Sequence, residues 1–310
     1  MGQEKSFESK EKAIRYLERL RRRSLFLLVL YIILSSIFGA AGFGLVVASA
    51  IAFEGTALAL GLTGGFVGFL VLLPVFLILL FRLTPEYEKA LYAYLSPWLL
   101  EKGPYSKAFY VKKKQVEPLV FEISRQINRS LDLEDNPAFR GDIKGVSFLT
   151  FGYRSYFSVG RRNNKTENYS GRVISFDLPT NVKTDVFIKQ KVALPIFKKV
   201  RLRHIIHTES ILFDKQYDVL VQDEKLSRIL VNPVLIDGIL SLSKEYGGFV
   251  NVYFKKDKVL VFYDKYFSAF HPGLTHRIDD AFLEGFLAEL RLPYRVFRSL
   301  DLGNFTLALE

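Results

Sequence analysis

The sequence predicts an α+β protein: an N-terminal two-helix transmembrane hairpin, then a cytoplasmic mixed domain with an antiparallel sheet and flanking helices. Three observations predict it. Two long uncharged runs, Leu25–Phe53 and Gly55–Phe81, lie early in the chain. From Asp142 to Phe213 the chain turns rich in Val, Ile, Phe, Tyr and Thr, cut by polar turns, which is the composition of strands. Strands and helices then come in groups rather than in βαβ alternation, which selects an antiparallel sheet. The expected parts are a basic N-terminal helix over 1–24, the hairpin over 25–82 (spans at about 25–53 and 56–81), and one cytoplasmic domain over 83–310.

The N-terminal part reads as a helix over Phe7–Arg23, with Ala13, Ile14, Leu17 and Leu20 on one face at 3.6-residue spacing. Glu8/Lys12, Glu11/Arg15 and Glu18/Arg22 are acid-to-base pairs at i, i+4, the favourable order. Arg19, Arg21, Arg22 and Arg23, with Arg82 after the second span, fall at headgroup level, where bases attract anionic lipid.

Each uncharged run exceeds the roughly 20 residues that cross the hydrocarbon core. Eight bases, from Lys5 to Arg23, precede the first span, and Arg82, Lys89 and Lys102 follow the second. The connection around Ala52–Thr56 carries only Glu54. That asymmetry places the connection outside and both termini on the cytoplasmic side of an inner (plasma) membrane. Ala40, Gly44 and Ala48 recur every fourth residue, and Gly61/Gly65 and Gly64/Gly68 make overlapping GxxxG pairs. Such faces let helix backbones approach closely. They serve packing within the hairpin, and homo-oligomerisation is a second reading. Pro74 predicts a kink. Neither span holds an ionisable residue, which argues against a transport path.

In the cytoplasmic part, Thr84-Pro85-Glu86 predicts a helix start and Gly103-Pro104 its stop. A second helix is expected over Lys112–Ser130, with a break near Glu117-Pro118. Four to six antiparallel strands should fill Asp142–Phe213, Val200–Phe213 being the longest. Glu224–Leu230 reads as a short helix. Asn232-Pro233 opens another that Gly247-Gly248 closes. Phe249–Phe254 and Val259–Tyr263, joined by Lys255–Lys258, predict a hairpin. A last amphipathic helix is expected over about Arg277–Leu290.

The search for chemistry excludes more than it finds. There is no cysteine, so disulfide and thiolate chemistry are absent. No Gly-rich phosphate loop, GxSxG or HExxH motif occurs, and no cofactor is implied. His204 shares a strand face with Leu202 and Ile206 and is expected in the core, whereas His207 is expected in solvent. His271 and His276 flank a Pro-Gly loop. Asp132, Glu134 and Asp135 read as turn residues, Asp279-Asp280 as a helix start, and Arg161–Lys165 as a hairpin tip. The net charge of +11 divides into +4 over residues 1–24, zero over 25–82 and +7 over 83–310, a mild bias that proximity to anionic lipid explains. No stripe interleaves aromatics with bases, so nucleic acid is not an expected partner.

Several runs carry a resemblance. Glu209-Ser210-Ile211-Leu212-Phe213-Asp214-Lys215-Gln216-Tyr217-Asp218-Val219, Ser227–Pro233, the Phe249–Tyr263 hairpin and Phe270 resemble the DUF3137 family of uncharacterised bacterial membrane proteins. Phe139–Gly145 is similar to that family's first sheet segment. The resemblance implies a membrane protein with an α+β domain and brings no catalytic residue. The leading reading is therefore a membrane-anchored, non-enzymatic module that binds a protein or the membrane surface. An enzyme acting on lipid or envelope precursors and an oligomeric pore are the alternatives.

Overall fold

In the computed structural model, the described residues are 10–52, 87–126 (save 89, 96–97, 99–100 and 102), 131–133, 138–158, 165–191 (save 180–181), 204–264 (save 248), 274 and 277–304. The chain divides into two compact units: Met1–Trp98 with Pro272–Leu283, and Leu99–His271 with Glu284–Glu310.

The first unit is built on α1, which runs unbroken from Lys10 to Ala52. The basic segment and the first uncharged run are one helix, since neither Gly nor Pro interrupts the chain between Lys10 and Ile37. Ala13, Leu17, Arg21 and Ser24 are its buried stripe, at i, i+4, i+8 and i+11. Residues 87–88 and 90–95 are helical, and their buried side chains are Tyr87, Leu91, Tyr92 and Leu95. Tyr16 meets Tyr94 edge to face at 5.6 Å. From Phe26 to Ile37, α1 leaves large apolar side chains exposed, among them Phe26, Val29, Ile33 and Ile37. Among the described residues no single helix is long and apolar enough to cross a membrane. The second span, and with it the hairpin, lies outside the described residues.

The second unit is a ten-stranded antiparallel sheet. Its strands are β1 (Phe109–Val111), β2 (Leu131–Leu133), β3 (Ala138–Ile143), β4 (Val146–Ser158), β5 (Lys165–Asp177), β6 (Val186–Gln190), β7 (His204–Ile206), β8 (Tyr217–Val221), β9 (Phe249–Lys255) and β10 (Lys258–Asp264). They are ordered β1-β3-β4-β5-β10-β9-β6-β8-β7, with β2 paired to β4. The helices of this unit are α2 (Lys113–Gln126), α3 (Ile211–Gln216), α4 (Glu224–Leu230), α5 (Pro233–Tyr246) and α7 (Leu292–Ser299). A further helix, α6 (Asp280–Leu290), opens in the first unit, where Asp279 accepts from the Phe282 N–H at 2.9 Å, the helix-start duty expected of it.

The central strands β9 and β10 are buried on both faces, so their alternation is masked by two apolar layers. On one face Val116, Val120 and Ile123 of α2 pack with Leu149, Phe151, Tyr153, Val173, Leu260 and Phe262. Pro118 sits inside α2 rather than breaking it. On the opposite face Phe176 meets Phe297 of α7 and Tyr263 meets Tyr246 of α5. Two glycines allow close backbone approach, Gly238 between α5 and α7 and Gly171 between the paired strands β5 and β10. A Cβ on Gly238 of α5 would lie 1.8 Å from the Ser299 carbonyl, and one on Gly171 of β5 would lie 2.1 Å from that of Tyr263.

Two sequence expectations fail at the β7 edge. Val200–Phe213 is not one strand: β7 ends at Ile206 and a helix begins at Ile211, while Val200–Arg203 lie outside the described residues; among the described residues the longest strands are β4 and β5, with 13 residues each. The cause is local. Thr208 donates its hydroxyl to Asp214 at 2.8 Å, and Ser210 caps α3 by accepting from the Phe213 N–H, so polar side chains compete successfully with the ladder. His204 is exposed rather than buried, because β7 lies at the end of the sheet order. His207 is exposed, as expected, 3.5 Å from Asp214.

Candidate functional site

Two polar constellations stand out, one in each unit. The first arises from the phase of α1. Four residues separate Arg21 from Leu17, so the helix carries this one base of the Arg21–Arg23 run onto its buried stripe, where Arg21 is only 6% exposed. Its guanidinium donates to Glu18 (Nη2 to Oε2, 2.9 Å) and to the Leu274 carbonyl at 3.2 Å. Glu18 Oε1 in turn accepts from the Ile278 N–H at 2.8 Å. Burial raises the Glu18 pKa, but the Arg21 hydrogen bond, the Ile278 N–H and the charges of Arg21 and Arg22 outweigh it, and the carboxyl is held below its ordinary 4.5. Tyr87, 1% exposed, lies in the same field, and burial pushes its hydroxyl well above the ordinary range.

The other predicted surface bases behave differently. Arg19, Arg22 and Arg23 are exposed, and Arg22 reaches Glu18 only at 3.8 Å. Arg82 lies outside the described residues, as do Gly61, Gly64, Gly65 and Gly68. Ala40, Gly44 and Ala48 all lie in α1, and a Cβ added at Gly44 would meet nothing within 4 Å among the described residues. His271, His276 and Arg161–Asn164 are outside the described residues; Lys165 opens β5. Asp132 is exposed in β2. Among the described residues no group of three His, Asp or Glu is arranged to hold a metal.

The second constellation is a cleft of about 690 Å³ lined by Gly103, Pro104, Glu245, Arg291, Tyr294, Arg295, Arg298 and Ser299. The α7 sequence builds it. Leu292, Pro293, Val296 and Phe297 are buried, which turns Arg291, Tyr294, Arg295 and Arg298 outward as one stripe at i, i+3, i+4 and i+7. Arg295 pairs with Glu245 at the end of α5 and donates to the Tyr246 hydroxyl at 3.1 Å. Arg291 and Arg298 are exposed and make no ion pair among the described residues. Beneath, Tyr105 donates to the Leu290 carbonyl and packs on Phe148 at 5.0 Å. The Arg172 guanidinium, 2% exposed, lies over Phe139 and donates to Thr150 at 2.8 Å. Sequence reasoning missed this cleft. Its signal was present in the spacing of Arg291, Arg295 and Arg298, but Glu245 comes from a helix more than 40 residues upstream.

Comparison with known proteins adds three findings. No curated protein matches the chain. The crystal structure of the mycobacterial trehalose monomycolate transport factor A, TtfA, is similar at 12% identity, over 66% of this chain and 93% of that one, with a TM-score of 0.33. The model of the DUF3137 family, described as a protein of unknown function, matches residues 167–302. That match takes in the 209–219, 227–233 and 249–263 runs and all of α7; Phe139–Gly145 lies before it. Over residues 167–302 the chain is thus similar to the DUF3137 family.

Proposed function

We propose that this protein is a membrane-anchored, non-enzymatic binding module of the inner membrane, with its sheet domain in the cytoplasm and a basic juxtamembrane helix that selects anionic lipid. The observation that carries the reading is α1. One continuous helix joins the exposed bases Arg19, Arg22 and Arg23 to an uncharged segment whose apolar side chains stand exposed from Phe26 to Ile37. In water such a surface would be a contiguous apolar patch, and a lipid environment removes that cost. Three bases at the same helix end then meet the headgroups, each contributing on the order of 1 kcal/mol. Arg21 takes no part in lipid selection, because Glu18 and Leu274 already hold its guanidinium.

The test is lipid selectivity in reconstituted membranes, read as the motionally restricted fraction of spin-labelled phosphatidylglycerol against phosphatidylcholine. The wild type is expected to prefer phosphatidylglycerol. Arg19→Gln/Arg22→Gln/Arg23→Gln should abolish the preference, while Arg21→Gln should retain it. Undiminished selectivity in the triple variant would overturn the reading.

A further inference from the structure

We infer that the cleft between α7, the end of α5 and Gly103-Pro104 is a binding site for a dianionic phosphate group, such as a phosphomonoester. The argument starts from electrostatics. Three arginines on one helical stripe repel one another, and among the described residues only Arg295 has a carboxylate partner, Glu245. A surface with no anion to hold gains nothing from that crowding. An anion in the cleft converts it into attraction.

The donor chemistry narrows the anion. A guanidinium presents its N–H groups as a planar fork that matches carboxylate or phosphate oxygens two at a time. Arg291 and Arg298 flank Arg295 at i−4 and i+3 and line the same cleft, so two forks without an ion pair among the described residues are available to one anion. A phosphomonoester offers three terminal oxygens and nearly two charges, enough for both forks at once; a carboxylate offers two oxygens and one charge. Tyr294, half-buried in the same lining, adds a hydroxyl able to bond an ester or terminal oxygen. The cleft, at about 690 Å³, also has room for the organic part of an ester. Arg295 is the orienting member: Glu245 and the Tyr246 hydroxyl hold it, which fixes the middle of the stripe.

The site is rigidly backed. Gly238 admits the Ser299 backbone against α5, and Phe297 is pinned on Phe176 at 6.2 Å. This assignment is independent of the lipid selectivity proposed for Arg19, Arg22 and Arg23, which belong to the other unit.

The experiment uses the full chain in phosphatidylcholine nanodiscs, titrated by calorimetry with inorganic phosphate and, separately, with dihexanoyl phosphatidic acid. At least one probe is expected to bind saturably. Arg291→Ala and Arg298→Ala should each weaken binding roughly tenfold, and Arg298→Lys, which keeps the charge but loses the fork, should fall between. Arg19→Gln/Arg22→Gln/Arg23→Gln should bind as the wild type does. Binding of both probes supports the site and points to a soluble phosphate ester; binding of phosphatidic acid alone supports it and points to a lipid headgroup. Absence of binding by either probe, or equal binding by the folded Arg291→Ala/Arg298→Ala variant, overturns it. Both residues are exposed, so unfolding is not expected, and circular dichroism checks that.

Discussion

At residue scale, the buried charges are the informative positions. Arg172 lies in the middle of β5, 2% exposed, with Thr150 accepting from its Nε. A buried cation deprived of a partner costs more than a missing surface contact. Thr150→Val keeps the shape and removes the acceptor, so we expect a loss of about 2 kcal/mol, visible as a drop of roughly 4–8 °C in thermal unfolding. Glu18 is the second such position, and its sign follows from its lowered pKa. A carboxyl held below its ordinary 4.5 contributes stability that is complete above that pH and is lost as pH falls through the folded value. The protection of the Ile278 amide, measured as its exchange rate relative to the intrinsic rate at the same pH, should fall on acidification below about pH 4.5. In Glu18→Ala that protection should be roughly tenfold lower at neutral pH and no longer change through this range.

At the scale of elements, what was legible in the sequence was what local signals encode. The Asn232 cap with Pro233 behind it, and Gly247 in the left-handed region at φ 60°, set α5 to the residue. The expected Glu224–Leu230 helix is α4, and Asp223 caps it in the structure. The β9–β10 hairpin was legible from its apolar runs, although the turn is tighter than expected, with Lys256 at φ 49°. Illegible were elements decided by competition or by distant partners. The β7 edge lost to Thr208 and Asp214, and α7 shows as an amphipathic helix only once Phe176 identifies its inner face. The Arg21 role was hidden because three consecutive arginines look equivalent until the helical phase separates them. The cleft needed α5 and α7 side by side, which depends on Gly238. Gly238→Ala pushes a methyl into the Ser299 carbonyl and should cost about 3 kcal/mol, against about 1 kcal/mol for the cap variant Asn232→Ala. Chemical unfolding of the two variants should rank them in that order. Equal losses would mean that α5 and α7 are not held by this close approach.

At the scale of the whole molecule, topology is the remaining quantity, and the composition of the chain makes it measurable. The protein has no cysteine, so a single introduced thiol reports its own side of the membrane without background. Glu54 is the only charged residue between the two uncharged runs, and the bases cluster before the first run and after the second. If that asymmetry sets orientation, a thiol at Glu54→Cys faces outward, and one at Asp257→Cys, exposed in the β9–β10 turn, faces the cytoplasm. In spheroplasts treated with a membrane-impermeant maleimide, Glu54→Cys should label at once and Asp257→Cys only after lysis. Labelling of Asp257→Cys in sealed spheroplasts would place the sheet outside, where Arg19, Arg22 and Arg23 could no longer read the cytoplasmic leaflet. The proposed lipid selectivity would then fall with the topology, whereas the phosphate cleft, built wholly within the second unit, would stand or fall by its own titration.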